Sequence, residues 1–271
     1  MFDEADRELV RESGTYRYIY AFQSAASQHP ALAWFAFLTI VGLAAWPITR
    51  LAFHVLPDSG YMLAKPFGIL FAVYPVWLLA SLRWWRFDNF SVAISTLILV
   101  LVSSAVALST RESLWRELRE KWKVMAAGEV LFLLAFAFLY AVRVRNPDLW
   151  HTSFGGEKPM DFAHLNAVIR TDYFPPYDPW WAGGYINYYY FGQVFTGAMA
   201  KLLGIVPAVA YNLGLPTMFA LAVGAVFSFG FNTWFAFRKH LSAAVGVGLL
   251  AIAFVLLLGN LDTIVQLVQI T

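Results

Sequence analysis

Seven stretches of this chain are apolar for longer than a water-soluble fold can bury. Residues 31–56, 67–82, 90–108 and 124–142 precede a long polar loop, and residues 188–206, 208–231 and 241–258 follow it. About 20 mainly apolar residues in a helix cross a hydrocarbon core. Continuous runs of this length, without alternation, exclude a membrane barrel and leave helices as the spanning element. Composition agrees: 60% of the 271 residues are hydrophobic and 13% charged, against roughly 25% charged in an ordinary soluble domain. Nineteen Lys/Arg and 17 Asp/Glu cannot cover such a surface, so the solvent is lipid. The net charge of +2 argues against a nucleic-acid partner. The absence of cysteine removes disulfides, thiolate metal sites and cysteine nucleophiles.

The expected fold is an all-α polytopic membrane protein with six transmembrane helices and an outer juxtamembrane helix; seven spans is the alternative. Segments 1–30, 31–142, 143–207 and 208–271 are expected to form a polar N-terminal part, four spans, an exoplasmic loop with its juxtamembrane helix, and two spans leading into a second outer loop. The first 30 residues carry Asp3, Glu4, Asp6, Arg7, Glu8, Arg11 and Glu12 and do not read as a signal peptide, so targeting is expected from the spans. Short loops rich in Lys and Arg stay cytoplasmic. The connection 110–123 holds Arg111, Arg116, Arg119, Lys121 and Lys123, and Arg238 with Lys239 separates the last two runs. With both inside, loop 143–187 lies outside a cell membrane, and residues 188–206 have no crossing left to make. An exoplasmic N-terminus follows. Arg50 is expected to snorkel to an interface, Lys65 and Pro66 to sit at the mouth of the second span, and Glu129 to lie inside the fourth, where a charge is costly and often functional.

The polar loop holds the candidate chemistry, because a loop this long is usually functional or structured. Gly155-Gly156-Glu157-Lys158-Pro159-Met160-Asp161 reads as a turn entering a helix with Pro159 at its first position. Asp161 then sits in the first turn, favoured by the positive helix end, with Glu157 just before it. Either can be a catalytic carboxylate or an ordinary helix-start acid. His164, three residues on, shares a face with Asp161 and suits a metal ligand or a structural histidine. Lys158 and Arg170 are candidates for phosphate oxygens or for pairing with neighbouring carboxylates. Trp180, Trp181, Asn187, Tyr188, Tyr189 and Tyr190 form a dense aromatic run, either an interfacial anchor or a platform for a sugar ring or isoprenoid tail. Gln193, Thr196 and Lys201 share one arc of the helix that follows. Asp262, beyond the last run, faces the same compartment on this topology, unless it is a helix cap.

Three loop segments carry a resemblance: Phe154-Gly-Gly-Glu157-Lys158-Pro159-Met160-Asp161, Phe174-Pro175-Pro176-Tyr177-Asp178-Pro179-Trp180, and Gly183-Gly184-Tyr185-Ile186-Asn187-Tyr188-Tyr189-Tyr190-Phe191-Gly192. With Leu56-Pro57-Asp58-Ser59-Gly60-Tyr61 and Gly259-Asn260-Leu261-Asp262 they resemble the YYY membrane-protein family of Chloroflexi-type bacteria and archaea, and through it the glycosyltransferase C superfamily. That resemblance implies sugar transfer from a polyprenyl-phosphate donor to a hydroxyl acceptor on the outer membrane face. It implies Asp161 or Glu157 as the first-loop base, residues 188–206 as the juxtamembrane helix, and Asp262 as the second acidic site. Lys158, Arg170 and Lys201 would meet the donor phosphate. Trp180, Trp181 and Tyr188 to Tyr190 would meet sugar or prenyl groups, with His164 and Asn187 accessory and a divalent metal as one possible helper. Four runs precede the loop where such transferases usually have one. The chain stops soon after Asp262, which is expected of the N-terminal part of a longer protein. The competing expectation is a membrane scaffold or transporter subunit whose loop is a structured cap.

Overall fold

The computed structural model describes residues 24–149 and 156–258; Asp262 and most of the polar N-terminal segment lie outside the described residues. A short α1 (Ala25–Gln28) leads into α2 (Pro30–Phe53), α3 (Tyr61–Ser81), α4 (Asn89–Ser109), α5 (Arg111–Arg145), α6 (Lys158–Arg170), α7 (Phe191–Leu203), α8 (Pro207–Arg238) and α9 (Leu241–Ile252), which runs into a π turn at Ala253–Leu257. Among the described residues the only strand-like pairing is the antiparallel bridge Tyr177–Tyr185. Local signals set the boundaries. Pro30 and Pro207 begin α2 and α8 where an amide hydrogen has no partner to lose. Asp88 and Ser91 form a reciprocal capping box on α4. Gly60 enters α3 at φ +70°, where a Cβ would also lie 2.7 Å from that of Phe53.

Five helices, α2, α3, α4, α5 and α8, are long and apolar enough to cross a membrane. The expected sixth span, 241–258, gives a 12-residue α9 and its π turn, with an apolar stretch of Leu241–Leu256 at the edge of the described residues. The run 188–206 yields a 13-residue α7, roughly 20 Å long and too short for a core of about 30 Å. Its helix starts at Phe191, so the three tyrosines precede it, correcting the start at Tyr188. A second correction concerns 110–123, which is no loop: it forms the first third of the 35-residue α5. Lys65 lies one turn into α3, which begins at Tyr61, and is buried there.

One face of each spanning helix enters the core. On α2 the buried positions Trp34, Leu38, Val41 and Ala45 follow the i, i+4, i+7, i+11 spacing of a single stripe. The outer faces stay apolar, with Leu97, Ile98, Leu101 and Val102 on α4 and Leu134 and Phe138 on α5 exposed, as lipid-facing surfaces require. Small residues allow close crossings. A Cβ on Gly68 of α3 would meet the Val41 carbonyl at 2.7 Å, and one on Gly230 of α8 would meet that of Val247 on α9 at 3.0 Å.

The bundle has two chemically distinct ends. At one, Arg50 on α2 donates to Ser113 and Glu117 of α5 at 2.7 Å each, Ser59 donates to Glu117 at 2.6 Å, and Asn232 of α8 donates to Asp58 at 3.3 Å. This end also carries the basic first turns of α5. At the other, α6, α7 and the segment between them cover the bundle. Trp77 of α3 donates to the Tyr190 hydroxyl at 3.4 Å, the Phe87 amide to the Asp172 carbonyl at 2.7 Å, and Arg143 of α5 to Asn212 of α8 at 2.8 Å. Helix α7 is inserted, not laid on a surface: Val194, Phe195, Ala198 and Met199 are buried, and Phe195 meets Trp34 edge-on at 6.2 Å.

Candidate functional site

The capped end presents two faces of α6. Glu157 is the N-cap residue, Lys158 and Pro159 open the helix, and Asp161 lies in the first turn with its amide donating to the Glu157 carbonyl at 2.9 Å, as the sequence predicts. Asp161 is half-buried beside the Tyr211 hydroxyl of α8. Burial raises its carboxyl above the ordinary value and the Glu157 charge adds to this, while His164 and the Tyr211 hydrogen bond oppose it. His164 is 4% exposed, and its Nδ1 has no hydrogen-bond partner among the described residues; its ring lies 5.9 Å from that of Tyr188. Glu157, Asp161, His164, Tyr188 and Tyr211 therefore make one corner. Among the described residues no three His, Asp or Glu side chains come together as a metal-ligand set.

Arg170 lies nine residues after Asp161, roughly half a turn round the helix at 100° per residue, and faces a groove of about 720 Å³. Phe162, Asn166 and Arg170 of α6 form one wall. The opposite wall is a hairpin in which the Asp178 amide donates to the Gly184 carbonyl at 3.0 Å and the Ile186 amide to the Pro176 carbonyl at 2.9 Å. Tyr177 and Tyr185 stack across it at 4.9 Å. Arg83, from the α3–α4 turn, closes the groove beside Tyr173, its guanidinium 5.8 Å from that ring. Asp172 and Asp178 also line it; Asp172 pairs with Arg86, and Asp178 accepts the Trp180 amide at 2.8 Å. Two guanidiniums, three phenol rings and two carboxylates thus share one cleft of mixed polar and apolar lining above an apolar bundle.

The remaining candidates divide between surface and scaffold. Trp180, Trp181, Asn187, Tyr188 and Tyr189 are exposed. Tyr190 is instead packed, stacked on Phe174 at 5.9 Å. Lys201 is partly buried and tied to main chain: its ammonium donates to the Phe87 and Thr171 carbonyls and sits 4.3 Å from the Phe87 ring centre. Burial depresses it to about 8, with Asp172 and Asp88 opposing.

Sequence reading missed Arg83, which looks like any interfacial arginine until the hairpin is folded against it. It also missed Lys65 as the partner of Glu129. These two form an ion pair between α3 and α5, with the Lys65 ammonium 4.6 Å from the Phe132 ring centre and the Tyr61 hydroxyl 3.4 Å from the Glu129 carboxylate. Two charges on different apolar runs were the available signal, since such charges seldom stay unpaired.

No curated protein and no solved structure matches the chain. Residues 71–271, which include α4 to α9 and the whole cap, match the family described as uncharacterized membrane protein (DUF2298), a description that carries no reaction. With that share of its length matched, and with apolar helices of spanning length in the fold, the chain belongs to the DUF2298 family of multi-pass membrane proteins.

Proposed function

We propose that the chain serves a membrane glycosyltransferase reaction in which the cap receives the head of a polyprenyl-phosphate sugar and passes the sugar to a hydroxyl acceptor on the outer face. The observation that carries this reading is the convergence of Arg83 and Arg170 with Tyr173, Tyr177 and Tyr185 in one groove at the capped end of a lipid-facing bundle. Guanidiniums suit phosphate oxygens, aromatic faces suit sugar rings, and Asp178 suits sugar hydroxyls. In the reaction the acceptor oxygen bonds to the anomeric carbon as the bond from that carbon to the phosphate oxygen breaks, with inversion. The acceptor proton goes to a carboxylate and the phosphate leaves on its lipid. Asp161 is the proposed base, assisted by Glu157, because its raised proton affinity makes it the better acceptor of that proton. Base catalysis of this kind contributes about 10²–10⁴-fold. Asp262 is the proposed second acid. Lys201 has no part in it, since its ammonium is engaged by two carbonyls.

One observation favours a second reading, a non-catalytic cap or scaffold: Asp161 and the Arg170 groove occupy opposite faces of α6. Assay of the purified full-length protein with polyprenyl-phosphate sugar separates the two. Asp161→Asn and Glu157→Gln are expected to lower transfer by at least about 10²-fold for the base and less for its helper. Ionising a carboxyl whose proton affinity is raised by folding disfavours the folded state, so Asp161→Asn is expected to unfold at an unchanged or higher temperature. Retained donor without turnover in the unmutated protein supports the scaffold, and full activity in both variants overturns the assignment of the base.

A further inference from the structure

The α3–α4 turn borders two cavities, one with charged groups in its lining and one almost wholly apolar. Arg83 faces the first, the groove of the cap. Two residues on, Trp85 closes the upper end of a second groove of about 290 Å³ on the flank of the bundle, lined by Phe71, Pro75, Ile98 and Val102 among others. Consecutive Cα atoms are 3.8 Å apart, so Arg83 and Trp85 are anchored within roughly 8 Å of each other. The turn is tightly wound: the amides of Trp84 and Trp85 both donate to the Leu79 carbonyl, at 2.9 and 3.3 Å. It is also fastened to the cap groove, through the Phe87 amide on the Asp172 carbonyl at 2.7 Å and the Arg86–Asp172 ion pair. Pro75, which lines the flank groove, has no amide hydrogen for the Phe71 carbonyl one turn back.

We infer that the two grooves are one binding site for a lipid phosphate, which lies across the α3–α4 turn with its anionic head between Arg83 and Arg170 and one hydrocarbon chain along α3 and α4 beneath Trp85. The inference rests on the reading of the cap groove as a phosphate site and adds the seat of the chain and the route of entry, sideways from the membrane over the turn. Hydrocarbon is the occupant that the flank groove calls for. It opens between two spanning helices, and its rim residues Phe71, Ile98 and Val102 are exposed to lipid. A tryptophan stands at its polar end, where indole favours the headgroup boundary. The head is anionic because the adjoining groove supplies two guanidiniums, of which Arg170 is exposed and Arg83 sits over a phenol ring, while of its two carboxylates Asp172 is paired with Arg86 and only Asp178 remains to offset them.

The test uses full-length protein in phosphatidylcholine nanodiscs with undecaprenyl phosphate, phosphatidylglycerol or soluble glycerol 3-phosphate as probe, and bound probe read by mass spectrometry. Ile98→Trp and Val102→Trp fill the flank groove from lipid-exposed positions; Arg83→Gln and Arg170→Gln neutralise the head site. Each pair is expected to lower undecaprenyl phosphate occupancy about tenfold or more, equivalent to about 1.4 kcal/mol, while the tryptophan variants hold glycerol 3-phosphate as the unmutated protein does. Unchanged occupancy in the tryptophan variants, with loss in the arginine variants, overturns the chain seat and leaves the head site standing. Unchanged occupancy in all four overturns both. Equal retention of phosphatidylglycerol makes an ordinary phospholipid the occupant, keeping the site and removing the polyprenyl donor from it. In the unmutated protein, a photoreactive group on the chain is expected to label α3 and α4 peptides, so the inference does not depend on any variant folding; labelling confined to other helices overturns it.

Discussion

Lys201 shows how far a residue's role depends on the fold around it. A lysine on the polar arc of a short helix near a candidate phosphate site reads as a phosphate ligand, but its ammonium ties α7 to the α3–α4 turn and to the end of α6 through the Phe87 and Thr171 carbonyls. Both partners are main-chain atoms distant in sequence, so side-chain identity carries no trace of them. Glu157 and Asp161 were legible because helix-start chemistry is local, whereas Arg83 was not, because its neighbours come from the hairpin. The environment of Lys201 has a measurable consequence. Burial lowers it from 10.5 to about 8, so between those values the unfolded chain binds more protons than the folded one and stability rises with pH. A shift of this size is worth about 3 kcal/mol when fully developed. Thermal unfolding in detergent is expected to move upward from pH 8 to 10 in the unmutated protein relative to Lys201→Met, which lacks the titrating group. Parallel curves for the two proteins would contradict this.

At the scale of elements, the apolar runs gave α2 and α4 nearly to their ends and the start of α8, whose end lies seven residues beyond the run, since length and hydropathy are properties of a single helix. They failed where polar residues are helical. The basic stretch 110–123 looks like a loop by charge, yet in α5 its inner face is occupied by Ser113, Glu117 and Lys121, each tied to α2 or to the turn before α3. The helix persists because tertiary hydrogen bonds hold that face together with the packing of Leu114 and Leu118 against Trp46, Ala64 and Met125. Arg50 is 4% exposed and was expected to snorkel; instead it meets Thr110, Ser113 and Glu117. Removing one partner of a buried ion pair typically costs about 3–5 kcal/mol, because the other charge is left uncompensated, while replacing both by apolar groups costs far less. Glu117→Ala is therefore expected to destabilise strongly and Arg50→Leu/Glu117→Leu to recover much of the loss, read as unfolding temperatures in one detergent. A double variant as unstable as the sum of its single variants would show that the pair is not coupled.

For the whole molecule, the alternation of helix ends constrains topology more tightly than charge counting does. The start of α2, the end of α3, the start of α4, the end of α5 and the start of α8 meet the cap; their opposite ends meet the network around Asp58, Ser59 and Glu117. The basic first turns of α5 and the Arg238-Lys239 pair that closes α8 fall at the uncapped end. By the positive-inside rule that end is expected in the cytoplasm and the cap outside. Both grooves of the inferred lipid site would be reached from the outer leaflet, and Glu157 and Asp161 would face the outer medium. The chain has no cysteine, which makes the orientation directly testable with single cysteines at exposed positions in intact cells. Ala182 on the hairpin is expected to react with a membrane-impermeant maleimide, and Ser242 at the start of α9 only after permeabilisation. The reverse pattern would keep the fold and both grooves but turn the cap to the cytoplasm, where donor and acceptor would have to be cytoplasmic. Reaction of both sites in intact cells would mean an even number of crossings between the hairpin and Ser242: either α8 does not span, or α7 crosses with it as in the seven-span alternative.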